Sequence, residues 1–167
     1  KVLGGRLPDF EYSVNLGASW KGFDLSLMGQ GVQGAKHYAS GWGLRPFYQG
    51  SPISQDYIDN MWTEDHRDAK YPRLYFADLG GAKNQRESTY WLYNASYFRL
   101  KNLTFGYTLP KSVTDKVKMS RVRVYFSGDN LLTFTKFYGL DPEREGDGRA
   151  AVYPQNRICS FGLNVEF

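Results

Sequence analysis

From Phe10 to Trp20 every second residue is apolar: Phe10, Tyr12, Val14, Leu16, Ala18 and Trp20 alternate with Glu11, Ser13, Asn15, Gly17 and Ser19. A period of two places one set on each face of a β-strand. The run is 11 residues long, against about 5–6 for a strand in a globular protein. A strand that crosses a membrane needs about 9–11 residues. Lys21-Gly22 follows as a two-residue hairpin turn. The second strand then carries Phe23, Leu25 and Leu27 on one face and Asp24, Ser26 and Gln30 on the other, with Gly29, Gly31 and Gly34 closing it.

Three more strands are predicted downstream. One runs to Leu109, with Leu103, Phe105, Tyr107 and Leu109 set against Asn102, Thr104, Gly106 and Thr108. Its first half is out of phase, because Arg99 and Lys101 fall on the apolar face and Phe98 and Leu100 on the polar one. Either a bulge near Lys101 switches the phase, or this end stands above the membrane. The next strand sets Val122, Val124 and Phe126 against Arg121, Arg123, Tyr125, Ser127 and Asp129. The last sets Cys159, Phe161, Leu163, Val165 and Phe167 against Ser160, Gly162, Asn164 and Glu166. Arg121 and Glu166 fall on polar faces at the same end of adjacent strands, where they can pair with each other or hold a plug.

The connections alternate in length. Lys21-Gly22 is short, residues 33 to 93 are irregular with Pro46, Pro52 and Pro72, Pro110 to Ser120 is moderate, and Thr135 to Asn156 is long again. That rhythm is expected of an outer-membrane barrel with long extracellular loops and short periplasmic turns. It places Trp20, Phe23, Tyr107, Leu109 and Phe167 at a periplasmic aromatic girdle and Tyr12, Tyr97 and Phe134 at the other end. The competing architecture is an antiparallel sandwich with one polar face.

Composition supports the barrel. Mean hydropathy is -0.54, and no apolar run is long enough for a membrane helix. A membrane strand shows lipid only its alternate residues, so low mean hydropathy is compatible with it. Aromatic residues make up 17% of the chain, and there are 18 glycines for turns and bulges. The net charge of +4 comes from interspersed charges; it reads as a solvated surface, and no nucleic-acid partner is expected. A lone Cys159 forms no internal disulfide. No signal peptide opens the chain, whose start reads as the middle of something longer. Five strands also cannot close a barrel, since barrels have even counts from about 8 upward, and every backbone group in lipid needs a partner.

Several blocks, in order, resemble the SusC/RagA-type TonB-dependent outer-membrane transporters of Bacteroidetes. The strongest is Ser96-Tyr97-Phe98-Arg99-Leu100-Lys101-Asn102-Leu103-Thr104-Phe105-Gly106-Tyr107-Thr108-Leu109-Pro110. A second is Arg121-Val122-Arg123-Val124-Tyr125 with Asn130-Leu131-Leu132-Thr133-Phe134-Thr135, followed by Gly139-Leu140-Asp141-Pro142-Glu143. Trp62-Thr63-Glu64, which departs from the family at Asp65 and His66, Tyr71-Pro72-Arg73, and the stretch from Tyr153-Pro154 to Phe161-Gly162-Leu163-Asn164 add to it. The resemblance implies an all-β fold, with residues 1–167 as the last five or so strands of a transmembrane antiparallel barrel of about 22 strands. It also implies an outer-membrane location, a plug and TonB coupling supplied by other parts of the protein, and a SusD-like surface lipoprotein as partner. Outer-membrane lipid and lipopolysaccharide would surround the barrel. The cargo class would be oligosaccharides or peptides.

No catalytic constellation, metal site or cofactor is expected. His37 and His66 lack zinc-ligand spacing. Asp141, Glu143, Glu145, Gly146 and Asp147 form an acidic loop, but Val152 occupies the twelfth position where a calcium loop needs Glu. That loop reads as solvated. Trp42, Trp62 and Trp91, in or beside the long loop, are the candidate ligand-binding residues, stacking on sugar rings; pinning the loop or meeting the lipoprotein is the plainer role. Phe161, Leu163, Val165 and the terminal Phe167 resemble the signal read by the barrel-assembly machinery. Nutrient import is therefore the expected function, with a secreted or surface β-rich adhesin or carbohydrate-binding module without a channel as the alternative.

Overall fold

The computed structural model describes residues 7–38, 46–47, 50, 52–74, 88–143 and 153–167. The chain divides into two compact units. One, built from residues 8–35, 96–136 and 155–167, is a sheet. Its five strands are β1 (Phe10–Trp20), β2 (Phe23–Gln33), β5 (Tyr97–Thr108), β6 (Arg121–Thr135) and β7 (Ile158–Glu166). They lie in the order β1-β2-β5-β6-β7, each antiparallel to the next. A meander of this kind follows from the connections, since neighbours in sequence are joined at alternating ends.

The turns are built as their residues require. Lys21 and Gly22 both have positive φ, 47° and 90°, the primed-turn geometry whose twist matches the strands it joins. Pro110 opens the moderate turn, which folds into α2 (Lys111–Thr114) and a 3-10 turn at Asp115–Val117, closed by Lys118 in the left-handed region.

Register turns the alternation into two faces. The rows Ala18–Leu25–Phe105–Phe126–Phe161 and Leu16–Leu27–Leu103–Gly128–Cys159 run across all five strands on one side. Ser19–Asp24–Gly106–Tyr125–Gly162 and Gly17–Ser26–Thr104–Ser127–Ser160 run on the other. The apolar face is open: Phe161 is 86% exposed and Leu16 58%. No soluble sheet gains by showing that much hydrocarbon to water; a bilayer-facing surface does.

The phase problem in β5 is settled by a paired bulge. Pairing of β2 and β5 slips between Met28 and Gly29, and pairing of β5 and β6 slips between Leu100 and Asn102. Lys101 is the extra residue on β5, and Asn130 and Leu131 are the extra pair on β6. Asn130 takes the left-handed conformation, φ 53°, which Asn tolerates better than most residues. Its side-chain amide donates to the Asn156 carbonyl at 3.1 Å, and Asn102 Nδ2 donates to Asp129 Oδ1 at 2.8 Å across the strands. Beyond the bulge Phe98 and Leu100 join the apolar face and Arg99 the polar one, where its Nε donates to Thr133 Oγ1 at 2.9 Å.

The placement of Tyr97 changes accordingly. It shares a face with Arg99 and is 6% exposed, so it is not part of the outer aromatic girdle. Phe98 takes that place. Its ring is 6.2 Å from Tyr12 and 6.5 Å from Phe134, and Tyr12 is 5.8 Å from Phe10. At the opposite end Phe23 stacks on Phe105 at 5.8 Å and meets Tyr107 at 4.4 Å.

The second unit comprises residues 1–7, 36–95 and 137–154. The expectation of an irregular stretch between β2 and β5 is corrected here. That stretch contains β3 (Lys36–Tyr38) paired with β4 (Leu92–Asn94), α1 (Gln55–Asn60) and a 3-10 turn at Thr89–Trp91. Ser54 caps α1, its hydroxyl accepting from the Tyr57 N–H. A small core of Tyr57, Tyr71 and Trp91 gathers Tyr38, Ile53, Met61, Leu74 and Tyr93 around it.

Candidate functional site

Two places combine geometry with function: the polar face of the sheet and the aromatic cluster of the second unit. On the polar face, Arg123 reaches across β5 to Asp24 on β2, with Nε to Oδ1 at 2.9 Å and Nη2 to Oδ2 at 2.5 Å. This is a two-toothed pairing of guanidinium and carboxylate. It passes over Gly106, where a Cβ would sit 2.5 Å from Arg123 Nη2 and 2.6 Å from Asp24 Oδ1. Only glycine leaves room for the bridge. The Arg123 guanidinium also lies 4.9 Å from the Tyr125 ring. Nearer the chain end, Arg121 Nη1 stands 3.4 Å from Glu166 Oε1. That pairing is the geometry the sequence pointed to. The Asp24–Arg123 bridge, between residues 99 apart, was not legible, since it depends on which strands lie beside β5.

In the second unit, Asp56 on α1 collects donors. Its Oδ2 accepts from Tyr71 Oη at 2.5 Å, Lys70 Nζ at 3.0 Å and Tyr138 Oη at 3.0 Å, and its Oδ1 accepts from Asn60 Nδ2 at 3.1 Å. Lys70 Nζ lies 4.6 Å from the Tyr71 ring and 4.7 Å from the Tyr138 ring. The hydrogen bond from Tyr71, followed by those from Lys70 and Tyr138, holds the Asp56 carboxyl down at about 2, below its ordinary 3.8. Its contribution to stability is whole above the ordinary value and is lost as pH falls through about 2. Burial, with the bond to Asp56 second, drives the Tyr71 phenol far above its usual value.

The three tryptophans separate. Trp91 is 1% exposed and forms the core with Tyr57 and Tyr71, so it has no free face to offer a sugar. Its burial fits the plainer role of pinning the loop. Trp62 is half-buried with the Arg73 guanidinium 6.0 Å from its ring centre. Trp42 lies outside the described residues, as do Glu145, Gly146, Asp147 and Val152 of the acidic loop. Asp141 is buried and accepts from the Glu143 N–H at 3.0 Å. His37 and His66 are not brought together with other ligating groups, and among the described residues no cluster of His, Cys, Asp and Glu could hold a metal. Phe161, Leu163 and Val165 lie together along the apolar side of β7, with Phe161 5.3 Å from Phe126, and Phe167 follows the strand's end.

Fold and faces together define a segment of an outer-membrane β-barrel, with one apolar and one polar face. The comparisons with known proteins specify it further. No family model matches the chain. It is 32% identical over 179 residues to TonB-dependent receptor P3 of Formosa agariphila, spanning 100% of this chain and 17% of that protein. Against TonB-dependent receptor SusC of Bacteroides thetaiotaomicron it is 35% identical over 81 residues, 48% of this chain and 8% of SusC. The structure of the RagAB peptide transporter superposes with a TM-score of 0.74 at 31% identity, covering 99% of this chain and 18% of that one. The chain belongs to the SusC/RagA-type TonB-dependent receptors of the bacterial outer membrane. It spans less than a fifth of the relatives it matches, 17% and 18% of their lengths. Those relatives are receptors and transporters, not enzymes.

Proposed function

We propose that the protein to which this chain contributes imports nutrients across the outer membrane in a TonB-dependent way, with a SusD-like surface lipoprotein as partner. Oligosaccharides or peptides are the cargo classes; one structural relative is described as a peptide importer. The observation that carries the reading is the two-faced sheet, continuous over five strands, in a chain that matches TonB-dependent receptors along its whole length. Residues 1–167 act as part of the barrel wall and its extracellular loops. Outer-membrane lipid and lipopolysaccharide meet the Leu16 and Phe161 face, and the Asp24–Arg123 face lines the wet interior. Trp62 is the described tryptophan suited to stacking on a sugar ring.

The test is uptake of labelled oligosaccharides and peptides by cells with and without the full-length gene, and in a strain lacking TonB. Loss of uptake of one cargo in both backgrounds supports the reading. Unchanged uptake, with the protein recovered in a soluble fraction, would overturn it in favour of an adhesin or binding module. In the same cells, Phe167→Ser tests the terminal signal. Lower barrel abundance with nearly normal uptake per copy is expected; normal abundance with lost uptake would assign Phe167 to transport.

A further inference from the structure

The connection between β2 and β5 and the connection between β6 and β7 are separate loops in sequence, yet residues 36–95 and 137–154 fall in one compact unit. Among the described residues, Tyr138 makes several of the contacts between them. Tyr138, from the second loop, donates its hydroxyl to Asp56 Oδ2 at 3.0 Å. Its ring lies 4.7 Å from Lys70 Nζ, 6.3 Å from the Tyr71 ring and 6.0 Å from the Tyr93 ring, all from the first loop. Phe137 beside it meets His37 edge-on at 5.3 Å.

We propose that Tyr138 is a latch that couples these two loops mechanically, so that loosening one loosens the other. The seat has the chemistry for it. Asp56 offers a carboxylate acceptor already oriented by Tyr71 and Lys70, and a hydrogen bond to a charged group is stronger than one between neutral groups. Lys70 is placed to attract two rings at once, one from each loop. The seat itself is anchored, because Tyr71 stacks on Tyr57 at 4.4 Å within the buried core. Tyr57 Oη in turn donates to the Pro72 carbonyl at 3.1 Å. A pull on residue 138 is thus passed to α1 and to residues 70–72 through contiguous contacts, where a pair of independent loops would have only solvent between them.

Amide hydrogen exchange on the full-length transporter in detergent or membrane discs tests this. Tyr138→Ala, which removes both a bond to a charged group worth about tenfold and the ring contacts, should speed exchange by well over tenfold in residues 137–143 and also in residues 56–72. Residues 98–107 of β5 should stay as protected as before. Tyr138→Phe, which keeps the ring and loses the hydroxyl, should give a smaller increase in the same two segments. Faster exchange confined to 137–143 would show two independent loops and overturn the latch, as would no change in either segment. Should Tyr138→Ala fail to assemble, Tyr138→Phe alone carries the test, with the same two overturning outcomes.

Discussion

The sheet and the second unit solve opposite problems with the same residue types. In the sheet, aromatic and branched side chains point outward: Phe161 is 86% exposed and Phe134 61%. In the second unit they point at each other, and Trp91 is the most buried of the large side chains. An aromatic ring follows whichever medium is apolar. Where the neighbouring medium is lipid, a strand needs no core of its own and alternation is enough. Where it is water, even a loop must build a core, and here it does so from tyrosines whose hydroxyls find Asp56 and the Pro72 carbonyl.

This contrast can be broken first at Trp91. Trp91→Ala should cost about 3–5 kcal/mol of the second unit's local stability while leaving the sheet intact, because Trp91 packs within the second unit's own core. Protease sensitivity within residues 52–74, with unchanged heat-modifiable migration of the barrel, is the expected readout. Next in size are the faces of β1. Leu16→Arg should cost about 2–4 kcal/mol in a reversible folding assay in lipid, and Asn15→Arg, facing the wet side, far less. Equal costs would refute the assignment of faces.

The bulge offers a sharper and smaller test. Asn130→Val forces a β-branched residue into the left-handed region and should cost about 1–2 kcal/mol. Asn130→Gly relieves the backbone and loses only the bond to Asn156, so it should retain most of the stability. If both fail alike, the side-chain bond and not the conformation holds the bulge. The smallest effect is expected from Arg121 and Glu166, whose side chains are 53% and 61% exposed. A double-mutant cycle should return a coupling of about 0–1 kcal/mol.

Much of the sheet was legible in the chain. The span of β1, the Lys21-Gly22 hairpin, the alternating loop lengths and the outward set on β7 all follow from a period of two and from turn chemistry, which are local properties. The first half of β5 was not. Its residues are compatible with two phases, and the choice belongs to the register slip that leaves Lys101 opposite Asn130 and Leu131 of another strand, outside the paired ladder. The family-like blocks around Lys101 and Asn130 therefore mark two halves of one bulge, a relation invisible while they are read as separate motifs. The candidate site divides in the same way. Trp42, Trp62 and Trp91 look alike in sequence, and only the packing of Tyr57 and Tyr71 removes Trp91 from the surface.

What the sequence determined by itself is therefore the kind of surface each strand presents, because pleating turns every second residue to the same side whatever its neighbours are. What tertiary structure alone decided is register and long-range pairing: the phase beyond Lys101, the Asp24–Arg123 bridge over Gly106, and Tyr138 on Asp56. These join residues 27 to 99 positions apart, and no local periodicity carries information over such distances. They exist only where the sheet and the loop core have already brought their backbones together.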